Sequence, residues 1–330
     1  MVKRDIVVIC SSAGGVEALT SLVAALPAGL PASLFIVQHI PAAHQSFLPQ
    51  LLTKAGRLPA THPRDGETIV SGHVYVAPPD HHLLIEDGTI RVRRGPRENG
   101  HRPAGDALFR TAARAKGPRV IGIVLTGALD DGAAGLFAVK QRGGFAVVQD
   151  PEDAYCPDMP RAALDHTDVD AVASLGEIAR QLPAWTSQSV DEAPDVNSLI
   201  AAEADIALQG STEYVRTPGT PSTFSCPDCG GVLNEIEDDR RLRFRCQVGH
   251  AFNRSSLHAA QSEVLEAALW AALRALEQQA DLGRRLTAKA RRINQPKSAS
   301  WHEERAETSE QQANLIRELL GAAPRKARSR

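Results

Sequence analysis

The chain has 330 residues, 43% of them apolar, and a formal net charge of −2. That length suits one large α/β domain with appendages, and the near-neutral balance excludes a global attraction to nucleic acid or membrane. No apolar run approaches the ~18 residues that span a bilayer, so no membrane insertion is expected. Met1-Val2-Lys3-Arg4 ahead of an apolar run mimics a secretory leader, but Asp5 breaks the junction and the run is too short. Five cysteines, an odd number with three clustered late, do not suggest a disulfide framework, and a cytoplasmic location is expected.

Ile6-Val7-Val8-Ile9-Cys10 reads as a strand buried on both faces. Ser11-Ser12-Ala13-Gly14-Gly15 then turns into a helix over about 16–26. Ser33 to His39 is a second buried strand, closed by Pro41, with a helix over about 45–55. A turn at Pro63-Arg64-Asp65-Gly66 precedes a strand at Val74 to Ala77. Leu83-Leu84-Ile85 and Thr89 to Val92, joined across Asp87-Gly88, predict a hairpin. A helix follows from Pro103 to about 116, then a third buried strand, Val120 to Leu125. A loop from Thr126 to Gly132, a helix from Ala133 to Gln141 and a strand at Ala146-Val147-Val148 complete the series. Strands alternating with helices predict an α/β fold with a doubly wound, mostly parallel sheet.

Ligands of such sheets sit beyond the C-terminal ends of the strands. Ser12, His39 and Asp131 all fall there. A serine lifted on a strand-to-helix turn, with a helix N-terminus behind it, suits a nucleophile; the competing readings are a plain tight turn or a phosphate cradle. His39 ends its strand as directly, and Asp130-Asp131-Gly132 equally suits a helix cap. Nucleophile, base and orienting carboxylate on one edge are the minimum set for acyl transfer.

Ser12-Ala13-Gly14-Gly15-Val16-Glu17-Ala18-Leu19, Gln38-His39-Ile40-Pro41 and Leu125-Thr126-Gly127-Ala128-Leu129-Asp130-Asp131-Gly132 resemble, in order and spacing, the three active-site motifs of the CheB family of chemotaxis protein-glutamate methylesterases. Asp65-Gly66, Gly72 to Pro78, Arg102-Pro103, Asp106 to Phe109 and Met159-Pro160 support the likeness, which covers about residues 5–182. It implies a serine hydrolase that demethylates glutamate γ-methyl esters on chemoreceptor helices, with deamidation of glutamine as a second activity and no cofactor for catalysis. It also implies Ser12 as nucleophile, His39 as general base and then acid, and Asp131 as the carboxylate that orients His39, with Asp130 as the runner-up. The Ala13 N–H is a candidate oxyanion donor. Cys10, Ala13 and Ala128 depart from the family's usual glycine, threonine and methionine. Family members typically carry an N-terminal receiver that covers the cleft until phosphorylated. Here the catalytic strand begins at residue 5, so control is expected from the C-terminal half, from a separate regulatory protein, or not at all. The alternative is a non-catalytic adaptor that uses the same fold to bind a signalling partner.

After a domain over 1–182, an acidic, proline-bearing segment reads as a linker over 183–222 with a short helix near 197–207. Residues 223–252 form a cysteine module: Cys226-x2-Cys229 and, sixteen residues on, Cys246-x3-His250. Two such knuckles are zinc-ribbon spacing, so a structural zinc on these four residues is expected, a metal-free packed ribbon being the alternative. Between them Arg241, Arg243 and Arg245 alternate with Leu242 and Phe244 and read as a solvated basic face, with no nucleic-acid partner expected. Cys10 and Cys156 have no ligand partners nearby in sequence. The remainder, 253–330, reads as a helical hairpin: a helix over about 255–293, a break at Pro296, a second helix over about 300–320 and a frayed end from Arg325. Leu269, Ala272, Leu276, Gln279, Gly283, Leu286, Ala290 and Ile293 form a heptad seam, weakened at Gln279 and Gly283, onto which Leu315, Ile316, Leu319 and Leu320 fold back.

Overall fold

The first apolar run becomes β1 (Ile6–Ser11), and every one of its residues is buried. The computed structural model describes residues 2–191, 194–209, 217–238 and 241–322. In chain order β1 is followed by α1 (Gly15–Ala25), β2 (Ser33–Gln38), α2 (Leu48–Ala55), β3 (Ala60–Thr61) and β4 (Val74–Val76). Next come β5 (His82–Glu86), β6 (Thr89–Arg93), α3 (Gly105–Lys116), β7 (Val120–Val124), α4 (Ala133–Gln141) and β8 (Phe145–Gln149). Then follow α5 (Asp158–His166), β9 (Ala171–Ala173) and α6 (Leu175–Ser187).

Seven strands pair in the order β3-β4-β2-β1-β7-β8-β9, each neighbouring pair parallel. The fold is therefore doubly wound α/β. Side chains of β1 alternate between two cores: Val7 and Ile9 pack with Leu19, Leu22, Leu52 and Ile178 on one face. Ile6, Val8 and Cys10 pack with Phe109, Leu136 and Met159 on the other. Burial on both faces is why the strand sequence is apolar throughout rather than alternating. From β1 the chain winds to β2 on one side and later to β7 on the other, so the switch point lies between β1 and its neighbours, where ligands of such sheets sit.

The hairpin β5–β6 forms as expected, with Glu86 opposite Thr89 and both Asp87 and Gly88 at positive φ. Helices α5 and α6 and strands β3 and β9 were not foreseen. Pro183 lies inside α6 rather than ending the domain, and a capping box at Ser174 and Glu177 starts that helix. That Ser-x-x-Glu spacing was the available signal.

Within the segment expected as a linker, α7 (Ser198–Gln209) forms where a short helix was foreseen. Positions 192–193 and 210–216 of that segment, and the tail expected to fray from Arg325, lie outside the described residues. Strands β10 (Thr220–Ser225), β11 (Val232–Asp238), β12 (Arg241–Cys246) and β13 (Ala251–Phe252) make a second, antiparallel sheet in that order.

The arginine stripe of β12 is not solvated; all three side chains are buried. Arg243 Nη1 donates to both carboxylate oxygens of Glu203 on α7, at 2.9 and 3.0 Å. Arg245, 0% exposed, donates to Glu203 at 3.0 Å and to Glu98 at 3.1 Å. Glu98 also takes two 2.7 Å bonds from Arg110 of α3, and Arg241 lies over the Phe137 ring. The sequence pattern shows alternation but not what covers each face; here the basic face meets two buried carboxylates. Burial opposes charge on Glu203 and Glu98, yet the surrounding arginines hold both carboxyls below their usual range. Glu203→Ala would leave two buried guanidinium groups short of an anion. A stability loss of about 3–5 kcal/mol is expected in a denaturant titration, and a loss under about 1 kcal/mol would show the network to be unimportant.

The chain divides into a unit ending at Leu257 and a second one beginning at His258. The second holds helix α8 (Arg254–Arg292) from His258 onward, and α9 (Pro296–Ala322) runs back along it. Ion pairs Arg291–Glu303, Arg284–Glu310 and Glu277–Arg317 mark an antiparallel hairpin. Asn294 at φ 57 ends α8, and Pro296 starts α9 instead of merely separating the helices. The buried seam of α8 is Leu273, Ala280, Gly283, Thr287 and Ala290, facing Ala299, Ala306, Ser309 and Ala313. It shares only Gly283 and Ala290 fully with the expected seam. Leu315 and Leu319, expected to fold onto it, are 62% and 60% exposed. Gly283 does not weaken the contact: a Cβ there would lie 2.8 Å from that of Ala306, so small residues set a close helix approach.

Candidate active site

Strand β1 ends at Ser11, and the chain reverses through Ser12, Ala13 and Gly14 into α1. Gly14 sits at φ 75, and a Cβ there would meet the Tyr155 side chain at 2.7 Å, so the turn requires glycine. Gln38, at the end of β2, clasps the turn: its Nε2 donates to the carbonyls of Ser12 (2.9 Å) and His39 (3.1 Å), and its Oε1 accepts from Ser11 Oγ (2.8 Å). Thr126 adds a hydrogen bond to the Ala13 carbonyl at 2.8 Å, and Ser12 N–H donates to the Thr126 carbonyl at 2.9 Å. The ends of β1, β2 and β7 are thus stitched together at one rim. The N–H of Ala13 has no acceptor among the described residues, which leaves it free for an oxyanion.

His39 Nε2 lies 2.8 Å from Asp131 Oδ2, and the two side chains are only 6% and 1% exposed. A carboxylate can only accept, so Nε2 carries a proton, and in the neutral ring Nδ1 holds the lone pair. Among the described residues Nδ1 is buried without a partner. Ser12 Oγ makes no hydrogen bond to His39.

Asp131 is gripped by far more than His39. Its Oδ2 accepts from the Gly105 N–H at 2.6 Å and from Cys10 Sγ at 3.6 Å; its Oδ1 accepts from Asn99 Nδ2 at 2.9 Å and the Asp106 N–H at 3.2 Å. Gly105 and Asp106 open α3, so Asp131 occupies the positive end of that helix. Burial alone would raise its pKa, but the His39 hydrogen bond and charge, aided by the Gly105 amide, hold it well below the usual carboxylate range. Neighbouring Asp106 goes the other way, pushed up to about 7 by burial and the Asp131 charge. Asp130, the runner-up, is elsewhere occupied: its Oδ2 accepts from the backbone N–H of Ser255 (2.7 Å) and Ser256 (3.3 Å) in the first turn of α8.

Sequence reasoning missed several of these groups. Cys10 has no neighbours in sequence that could share a ligand, yet folding places its sulfur against Asp131. Burial, then the Asp131 and Asp106 charges, push its thiol well above its ordinary range, so it stays a neutral donor. His101 stacks on His39 with ring centroids 3.7 Å apart and planes 13° from parallel. Burial, then the charge of His39, push His101 down to about 4. An unfolded histidine titrates near ~6.5, so between about pH 6.5 and 4 the unfolded chain binds more protons at this residue. Its contribution to stability is therefore complete above that window and lost as pH falls through it. His101→Phe keeps a stacked ring and removes the titration; its Tm should fall less than that of the parent between about pH 7.5 and 5. Beside the pair, His39, Pro41, Asp80, Arg97, His101 and Arg102 line a cleft of ≈ 410 Å³.

In the second sheet the four expected metal residues do converge. The ligand atoms of Cys226, Cys229, Cys246 and His250 all lie within 4.8 Å of one another. The two knuckles fold alike, with Gly230 N–H bonding the Cys226 carbonyl (2.8 Å) and Gly249 N–H that of Cys246 (2.9 Å).

The structure is thus an open, doubly wound parallel α/β sheet whose switch point gathers a serine turn, an imidazole and a buried carboxylate. Residues 7–182 match the family described as CheB methylesterase, and the chain belongs to that family. A Geobacter metallireducens relative named protein-glutamate methylesterase/protein-glutamine glutaminase 1 is 39% identical over 186 residues, 55% of this chain and 51% of its own. A Leptospira interrogans relative is 44% identical over 176 residues, 53% of this chain and 91% of its own. The chain thus spans about half the length of the first relative and most of the second. The crystal structure of the Thermotoga maritima CheB methylesterase catalytic domain superposes with a TM-score of 0.53 at 32% identity, covering 56% of this chain and 99% of that one. No described helix is long and apolar enough to cross a membrane.

Proposed function

We propose that this chain is a serine-type protein-glutamate methylesterase, hydrolysing γ-glutamyl methyl esters on the helices of chemoreceptors and deamidating glutamine there. The observation that carries the reading is the buried 2.8 Å contact between Asp131 and His39 beside the Ser12 turn. Ser12 Oγ attacks the ester carbonyl while His39 Nδ1 takes its proton; Asp131 keeps Nε2 protonated and stabilises the imidazolium. The Ala13 N–H supports the oxyanion. Collapse of the tetrahedral intermediate expels methoxide, which leaves as methanol with the proton from His39. Water, deprotonated by the same nitrogen, then cleaves the acyl-enzyme to free glutamate and Ser12. The arrangement is the mirror of the common serine-triad usage, in which Nδ1 faces the carboxylate and Nε2 the serine.

Incubation with methylated chemoreceptor should release methanol, and a fluorophosphonate should label Ser12. Absence of both would favour the adaptor reading. The receptor's identity and any separate regulatory protein are open to the same assay with candidate partners.

A further inference from the structure

The family match ends at residue 182, yet the hydrogen bonds around Asp131 continue into residues far beyond it. Asn99, which holds Asp131 Oδ1, is itself held from the second sheet: its N–H donates to the Ala251 carbonyl at 2.7 Å, and its Oδ1 accepts from the Asn253 N–H at 2.8 Å and from Ser256 Oγ at 3.0 Å. Ala251 N–H in turn donates to the Arg97 carbonyl at 3.2 Å. Asn253 Nδ2 donates to Asp106 Oδ2 (2.9 Å) and to the Asp130 carbonyl (3.0 Å). The loop that carries Asn99 and His101 is therefore clamped along its length by β13 and the residues just after it.

What positions β13 is the turn from Cys246 to His250. This turn is the second knuckle of the cysteine cluster. Within the cluster Cys229 and Cys246 sulfurs are 3.8 Å apart, and His250 Nδ1 is 3.5 Å from Cys246 Sγ and 3.7 Å from Cys226 Sγ. A tetrahedral zinc with bonds of about 2.3 Å to sulfur and about 2.1 Å to nitrogen requires edges near ~3.8 and ~3.6 Å. The donor set and the spacing both fit that ion.

We propose that Cys226, Cys229, Cys246 and His250 bind a structural zinc that, by fixing the β12–β13 turn, positions Ala251 and Asn253 against the Asn99 loop and so sets the geometry of the Asp131–His39 pair. Metal loading of the second sheet then controls the geometry of the active site at the edge of the first. Asn253 is a positioning residue in this scheme. The proposal rests on the triad reading for its effect on turnover but not for its metal or its structural coupling.

The full chain tests it in three measurements. Metal analysis of purified protein should find one zinc per chain, and cobalt substitution should give the intense visible bands of a tetrahedral thiolate site; Cys226→Ser should lose both, and Ser12→Ala should keep both. A zinc-free wild-type chain that also gives no tetrahedral cobalt spectrum overturns the metal assignment. Chelation should shift or broaden the downfield proton signal of His39 Nε2–H and slow fluorophosphonate labelling at least about tenfold. Restoring zinc should reverse both changes. An unchanged His39 signal on metal loss overturns the coupling. Because Cys226→Ser can unfold the module outright, Asn253→Ala supplies the second arm: it should retain zinc, lower kcat about tenfold and leave KM within about twofold. Full kcat in zinc-loaded Asn253→Ala overturns the positioning role. Should wild type bind zinc and show the His39 response but hydrolyse no methyl ester, the enzymatic reading fails and the coupling stands.

Discussion

Ser12→Ala is expected to lower methanol release from a methylated receptor by at least about 10⁴-fold in kcat and to abolish fluorophosphonate labelling. The variant should fold normally. Ser12 Oγ accepts and donates no hydrogen bond among the described residues, so its loss strands no buried partner. Alanine also keeps the Cβ against which the Gly127 backbone packs, where a Cβ on Gly127 would lie only 2.8 Å from it. A Tm within about 2 °C of the parent is the accompanying expectation. Turnover comparable to the parent would remove Ser12 as the nucleophile and with it the serine mechanism.

Asp131→Asn should cost roughly 10⁴-fold in kcat, whereas Asp130→Asn should cost less than about tenfold. The two aspartates are adjacent in sequence but face different donors. Asp131 accepts from His39, Cys10, Asn99 and the first two N–H groups of α3. An amide there offers one acceptor oxygen and a donor where an acceptor is needed, so His39 is pressed into the wrong tautomer. Asp130 accepts from the backbone N–H groups of Ser255 and Ser256, with the hydroxyls of the same two residues also against it, and an asparagine oxygen can still accept from these donors. Its substitution should appear mainly as a loss of about 1 kcal/mol in helix capping, read by denaturant unfolding. Equal kinetic losses in the two variants would reject the assignment of Asp131.

The elements that carry the candidate site were legible because their physics is local. β1, β2 and β7 are buried on both faces, so each is a continuous apolar run that no helix period imitates. The Asp87-Gly88 hairpin declared itself because both residues tolerate positive φ. α6 is masked in the sequence because a proline such as Pro183 ordinarily marks a helix end, although the Ser174 capping box marks its start. The α8 seam was misplaced at alternate positions for a related reason. Leucine spacing points to one stripe, whereas the buried contact is made mainly by a glycine and several alanines, with Leu273 among them.

The order of motifs along the chain determined the parallel α/β architecture, the three strand ends bearing Ser12, His39 and Asp131, and the two cysteine knuckles, since each depends on residue type and short spacing. Only the tertiary structure decided which ring nitrogen of His39 faces Asp131, that Cys10, Asn99 and His101 surround that pair, and that the arginines of β12 are buried against Glu203 and Glu98. Those are contacts between residues tens to well over a hundred positions apart. Their sign and partner depend on which face of one element is laid against another, which hydrophobic period and local propensity do not encode.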